Sequence, residues 1–239
     1  MVKVGATNVS LILRDGVFGS VTTGGTGSDV HVQGATLGDP LVSTSGHNVL
    51  NASSAANVVF DHATVNGEIS LASKSTLAVA DSSFRFSTGS VGVSTAYAEG
   101  YLYTSYGSAV GSLKATLTNS TFDGGRAQLQ VGVNDDVVIR GCKFSGYEKY
   151  GVYAMGALTN LDLGTATDSG ANEFTGSTAS GIYGLYDGRS ATGPTIPVSG
   201  TSFNGVIPPA DVVTKSTVLA ACEPGAYCIN TNGNSITFY

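Results

Sequence analysis

The sequence predicts an all-β chain folded as one right-handed parallel β-helix, a solenoid of about eight short coils closed by a C-terminal cap. Three observations predict it: a composition suited to short strands and tight turns, a period of two inside each repeat, and eight copies of one apolar motif. The 239 residues are 41% hydrophobic, enough for the core of one large domain. Only 12% are charged, while glycine occurs 33 times and tryptophan not at all. Lys, Glu and Arg, on which the polar faces of amphipathic helices draw, are too scarce for a helical protein.

The motif is apolar-x-apolar-x-x-small-x-apolar. It begins with Leu11, Leu13, Gly16 and Phe18, then Val30, Val32, Ala35 and Leu37, then Val58, Phe60, Ala63 and Val65, then Leu77, Val79, Ser82 and Phe84. It continues with Ala115, Leu117, Ser120 and Phe122, then Val137, Ile139, Cys142 and Phe144. Leu161 and Leu163 follow, with a loop before Asn172 and Phe174, and the last copy is Ile196, Val198, Thr201 and Phe203. Alternation sends Val137 and Ile139 inward and Val138 and Arg140 outward. The small residue marks a turn where the backbone bends inward and a large side chain would collide, so Cys142 is read as a filler. The last apolar position recurs after as few as 19 residues, from Phe18 to Leu37 and from Val65 to Phe84, and after as many as 38, from Phe84 to Phe122. A coil of three strands and three turns fits the short spacing, and extra residues leave the wall as loops.

A third strand per coil is visible at Ile69 and Leu71, Leu129 and Val131, Val152 and Ala154, and Ile182. Stacked about 4.8 Å apart, eight coils would span about 38 Å. The expected organisation is residues 1–204 as coils, with a long loop near 86–112, and residues 205–239 as the cap. The cap reading rests on Pro208, Pro209, Cys222, Cys228 and the terminal run Ser235 to Tyr239, which break the repeat. Cys222 and Cys228 could close a small loop disulfide or stay as reduced turn thiols. Sequons at Asn8, Asn51 and Asn119 are read as turn residues.

Over roughly residues 5–205 the coil pattern resembles the pectin-lyase-like superfamily of right-handed β-helices. Leu161-Asp162-Leu163-Gly164-Thr165-Ala166-Thr167-Asp168, followed by Asn172-Glu173-Phe174-Thr175-Gly176, is similar to phrases in a group of exported bacterial β-helix proteins with no assigned activity. The resemblance implies the fold and an exported setting. The superfamily hosts lyases, hydrolases, tailspikes, adhesins and spacers, so it implies no reaction.

A net charge of −6 argues against nucleic-acid partners, which need a basic stripe. No stretch is apolar for long enough to insert in a membrane, and the first residues, Met-Val-Lys-Val, lack a leader's apolar core. A secreted or cell-surface protein whose leader is absent from this chain is the expectation.

If the chain is an enzyme, the candidate cluster is Asp123, Arg126, Asp135, Asp136 and Arg140, two coils whose charged groups could meet. A polysaccharide lyase would use a base and a cation, Ca²⁺ or a basic side chain, to neutralise a uronate. A glycoside hydrolase would need paired carboxylates. Asn134-Asp135-Asp136 is also an ordinary turn sequence. His31, His47 and His62 are read as polar surface, and without Cys/His ligand spacing no metal or other cofactor is expected. The distinctive feature is tyrosine: Tyr97, Tyr101, Tyr103 and Tyr106 in the long loop, and Tyr147, Tyr150, Tyr153, Tyr183 and Tyr186 along one flank. Each offers a flat apolar face and a polar edge, suited to sugar rings or a surface protein. The functional expectation is a non-catalytic structural or binding module whose partner is a polysaccharide or surface protein. An enzyme acting on an acidic polysaccharide is the alternative. The sequence leaves the oligomeric state open.

Overall fold

The computed structural model describes residues 1–39, 48–52, 55–72, 74–86, 102–103, 113–132, 134–154, 160–177, 181–188, 194–207, 229–230 and 236–237. Among these residues the protein is all-β, with no helix, and its paired strands are parallel. Strands are dealt in rotation to three large sheets, so that neighbours within a sheet are three strands apart in sequence. The nine-stranded sheet runs from Val2–Val4 through Tyr150–Ala154 and Tyr183–Asp187 to Ile229–Asn230. The seven-stranded sheet runs from Ser10–Arg14 to Asn160–Asp162, and the eight-stranded sheet from Val17–Phe18 to Ser202–Phe203.

The apolar motif sets the register. In the seven-stranded sheet Leu11, Val30, Val58, Leu77, Ala115, Val137 and Leu161 form one row. In the eight-stranded sheet Phe18, Leu37, Val65, Phe84, Phe122, Phe144, Phe174 and Phe203 form another, spanning all eight motif copies. Beyond the partly buried Leu11 and Phe18 at their starts, each row buries its side chains, because successive residues of a strand face opposite ways and only one face is apolar. From Phe84 to Phe203 the rings stack nearly parallel, with centroids 4.6–4.9 Å apart, close to the natural spacing of paired strands. The eighth copy departs from its predecessors: Ile196–Pro197 pairs with Ile236–Thr237 in a separate two-stranded sheet.

The third-strand residues Ile69, Leu71, Leu129, Val131, Val152 and Ala154 are buried in the nine-stranded sheet. Ile182 is a correction. It precedes strand Tyr183–Asp187, and the residue in register with Val152 is Leu185, fully buried. The segment expected as a loop near 86–112 contributes a strand, Leu102–Tyr103, paired between Ile69–Ser70 and Leu129–Gln130. Of segment 205–239 the structure describes few residues, and two short stretches of it extend sheets. Pro208, Pro209, Cys222, Cys228, Ser235, Phe238 and Tyr239 lie outside the described residues.

On entering the eight-stranded sheet from its first strand, every motif copy carries a left-handed residue immediately before the small one. The row is Asp15, Gly34, His62, Asp81, Asn119, Gly141, Ala171 and Gly200. This conformation reverses the chain sharply, and short polar residues or glycine adopt it at the lowest cost. The small residues behind it are tied to the next copy. The Ala63 amide donates to Ser82 Oγ at 3.0 Å, the Ser82 amide to Ser120 Oγ at 3.0 Å and the Cys142 amide to Asn172 Oδ1 at 3.0 Å. Asn8 and Asn119 take left-handed turn positions, as expected for these sequons, whereas Asn51 lies within strand Asn48–Ala52.

Cys142 fills this corner, fully buried, and burial pushes its thiol up to about 11. A thiolate is the reactive form, so native Cys142 is expected to resist iodoacetamide at pH 8 and to label rapidly in guanidinium. Peptide-resolved mass spectrometry checks this; native labelling at the denatured rate would contradict the packing.

Candidate functional site

Two strands repeat the pattern Tyr-Gly-apolar-Tyr: Tyr150-Gly151-Val152-Tyr153 and Tyr183-Gly184-Leu185-Tyr186. Register places Tyr150 opposite Tyr183 and Tyr153 opposite Tyr186. Simple alternation would put Tyr150 and Tyr153 on opposite faces. The glycine changes that, because both it and the following apolar residue are buried, leaving both tyrosines half-buried on the outer side. Only glycine fits. A Cβ on Gly151 would lie 2.7 Å from the Gly184 carbonyl and 2.8 Å from the Phe174 ring, and one on Gly184 would lie 2.8 Å from the Phe203 ring.

The four rings form one cluster. Tyr150 lies 4.9 Å from both Tyr153 and Tyr186, and 6.4 Å from Tyr183 in a nearly parallel stack. Tyr186 also meets Tyr153 at 5.3 Å and Tyr183 at 5.7 Å. Lys149 Nζ sits 5.3 Å above the Tyr150 ring, a cation–π contact worth about 0.5–1 kcal/mol at an exposed site. Desolvation raises the Tyr150, Tyr153 and Tyr186 hydroxyls above the usual phenol range, so they stay protonated donors. Arg126 opposes that rise at Tyr150, and Lys149 opposes it at Tyr186.

The other tyrosines divide. Tyr147 is not part of this face: it is 3% exposed, its ring packs directly against Gly176, and burial alone raises its hydroxyl. The left-handed Gly146 turns the chain just before it, which carries Tyr147 into the core. Backbone pairing sets Tyr103 opposite Gln130, itself opposite Tyr153. Tyr97, Tyr101 and Tyr106 lie outside the described residues.

The candidate acid–base residues are spread over different walls. Asp123 is exposed on the eight-stranded sheet, where its carboxylate accepts from Ser145 Oγ at 2.9 Å. Arg126 is exposed just before strand Ala127–Val131 of the nine-stranded sheet, and its carbonyl holds the Lys149 and Tyr150 amides. Asp135 is 1% exposed and serves the backbone: Oδ2 accepts from the Gly132 amide at 2.8 Å and Oδ1 from the Leu113 amide at 3.1 Å. Arg140 points outward from the seven-stranded sheet to Asp162 and Asp168, both at 2.8 Å. Burial pulls its guanidinium down, but hydrogen bonds to the two carboxylates outweigh that and raise it.

Asp136 lines a shallow groove of about 310 Å³ on the outer face of the same sheet, with Thr76, Ala78, Lys114, Thr116 and Val138. Its carboxylate accepts from Asn160 Nδ2 at 2.8 Å. Among the described lining residues it is the single carboxylate, short of the pair that glycoside hydrolysis uses.

One constellation escaped the sequence reading. Asp61, His62 and Asp81 bring a donor atom each to within 4.8 Å of one another, a geometry able to hold a metal ion. His47 lies outside the described residues, and His31 faces outward in the seven-stranded sheet. The missed signal was the spacing, since His62 and Asp81 are 19 residues apart, the shortest repeat length.

Comparison of the chain with protein-family models, curated proteins and solved structures returns no match.

Proposed function

We propose that this chain is a right-handed parallel β-helix of about eight coils, akin to the pectin-lyase-like superfamily, that is exported to a bacterial surface and binds a glycan without transforming it. The rotation of strands among three parallel sheets supports the solenoid, because a chain that winds repeatedly returns to each wall once per turn. Residues beyond about 205 serve as its cap. Export rests on the resemblance of the Leu161–Asp168 and Asn172–Gly176 phrases and on the low charge. Among the described residues no helix is long and apolar enough to cross a membrane.

The observation that carries the binding reading is the cluster of Tyr150, Tyr153, Tyr183 and Tyr186, four rings held in register on a rigid wall. A pyranose ring presents an apolar C–H face that packs on aromatic faces, and the protonated tyrosine hydroxyls and Lys149 supply edge contacts. Rings fixed by strand pairing lose little entropy on binding. Asp135 spent on backbone amides and Arg140 paired with two carboxylates support a non-catalytic role, since neither is left to act on a substrate.

A glycan array, read beside an ultraviolet assay for unsaturated uronate release, tests this. Binding without release is expected, weakened about tenfold or more by combined Tyr150→Ala and Tyr186→Ala, roughly the loss of two stacking contacts. Uronate release abolished by Asp136→Ala would replace this reading with a lyase. Absence of both activities would leave a structural role.

A further inference from the structure

We propose that Asp61, His62 and Asp81 form a binding site for a first-row divalent cation of the zinc class, on the corner between the seven- and eight-stranded sheets. The site is separate from the tyrosine cluster and stands or falls independently of it.

Two stacked turns supply the three side chains. Asp61 ends strand Asn57–Asp61 and pairs in register with Ala80, which ends strand Thr76–Ala80. His62 and Asp81 follow directly, each in the left-handed conformation, with φ of 50° and 48°. The His62 amide donates to the Ala80 carbonyl at 3.1 Å, which locks one turn over the other. Equal backbone conformations on stacked turns send the two side chains the same way, and Asp61 meets them: His62 Nδ1 lies 2.7 Å from Asp61 Oδ1.

Neighbouring turns in the same row resolve this crowding differently. A Cβ on Gly34 would lie 3.0 Å from Asp15 Oδ1, and one on Gly141 would lie 2.5 Å from Asn119 Oδ1. There a polar side chain leans over a glycine. At His62 and Asp81 two full side chains share that space with a third group, and their donor atoms converge within 4.8 Å.

Charge accounts for the rest. The His62–Asp61 contact explains two members of the cluster, His62 exposed and Asp61 partly so. Asp81 adds a second carboxylate. One imidazole nitrogen and two carboxylates make up the donor set. That set suits zinc and its first-row neighbours, whereas calcium and magnesium take oxygen donors. A tetrahedral centre with bonds of about 2.1 Å needs donors about 3.4 Å apart, within reach of small rotamer adjustments of exposed side chains. Water completes the coordination, and the ion ties adjacent turns together.

Calorimetric titration of the tag-free full chain with Zn²⁺ should show one ion per chain, and Co²⁺ should give a visible absorption band typical of nitrogen and oxygen ligands. His62→Gly removes the imidazole while keeping a residue suited to the left-handed turn, and Asp81→Asn does the same for the carboxylate. Each should weaken Zn²⁺ binding about tenfold or more and abolish the cobalt band, with circular dichroism unchanged. His31→Ala and Asp168→Asn, placed elsewhere on the wall, should bind as the parent does. Zn²⁺ affinity undiminished in both His62→Gly and Asp81→Asn, or no stoichiometric binding by the parent, would overturn the site.

Discussion

Phe144→Ala is expected to destabilise the protein by about 3–5 kcal/mol, the range for truncating a buried aromatic residue. Phe144 is fully buried and stacked on both sides, against Phe122 at 4.8 Å and Phe174 at 4.6 Å, with interplanar angles of 8° and 6°. Truncation removes the ring's transfer free energy and two aromatic contacts of about 0.5–1.5 kcal/mol each. It also leaves a cavity that cannot readily close. The strands above and below are held apart by the backbone ladder through Thr121–Gly124, Lys143–Ser145 and Glu173–Thr175, so the walls cannot collapse without breaking hydrogen bonds. Urea unfolding followed by far-ultraviolet circular dichroism measures the cost, and Phe144→Leu, which refills part of the space, should fall between parent and alanine. A cost for Phe144→Ala below about 1 kcal/mol would mean that the corner repacks and that the ring row is not a rigid spine.

The apolar rows were legible because burial on one face of a short strand imposes a period of two that few other structures share. Val30 to Leu37 and Val137 to Phe144 therefore fell into register as read. The left-handed row was not legible, since its members are Asp, Gly, His, Asn and Ala, linked by a backbone angle and not by side-chain chemistry. Ile182 misled because the buried glycine after Tyr183 shifts the alternation, moving the inward role to Leu185. The same shift hid the tyrosine cluster's geometry, although the repeated Tyr-Gly-apolar-Tyr pattern was there to be seen. The acid–base group divides for a different reason. Stacking of two coils suggests that Asp123, Arg126, Asp136 and Arg140 can meet, but a chain that changes sheet every few residues places Asp123 on the eight-stranded sheet and Asp136 and Arg140 on the seven-stranded one. The cation site shows the converse, with residues 19 apart brought side by side by stacking.

Asn172→Leu is expected to cost about 1–3 kcal/mol although it nearly preserves volume. Asn172 takes the small-residue position of the seventh motif copy, 1% exposed, where the adjacent copies carry Cys142 and Thr201. It can be larger there because both ends of its amide are hydrogen-bonded. Oδ1 accepts from the Cys142 amide at 3.0 Å, while Nδ2 donates to the Ile139 and Leu163 carbonyls at 3.0 Å and to Thr201 Oγ1 at 3.2 Å. One side chain thus joins three successive copies where the longer chain between Leu163 and Asn172 interrupts the usual turn. Leucine would strand the Cys142 amide in an apolar corner, at about 1–3 kcal/mol, whereas the Ile139 carbonyl would keep Arg140 Nη1 at 2.9 Å. The Leu163 carbonyl would keep Thr201 Oγ1 at 2.7 Å. Asn172→Ser, which matches the residue used at Ser82 and Ser120, should recover the acceptor for Cys142 and lose less than leucine does. Urea midpoints for the two variants decide the matter. If leucine proves as stable as serine, packing volume alone governs this corner, and the polar ladder contributes register but little stability.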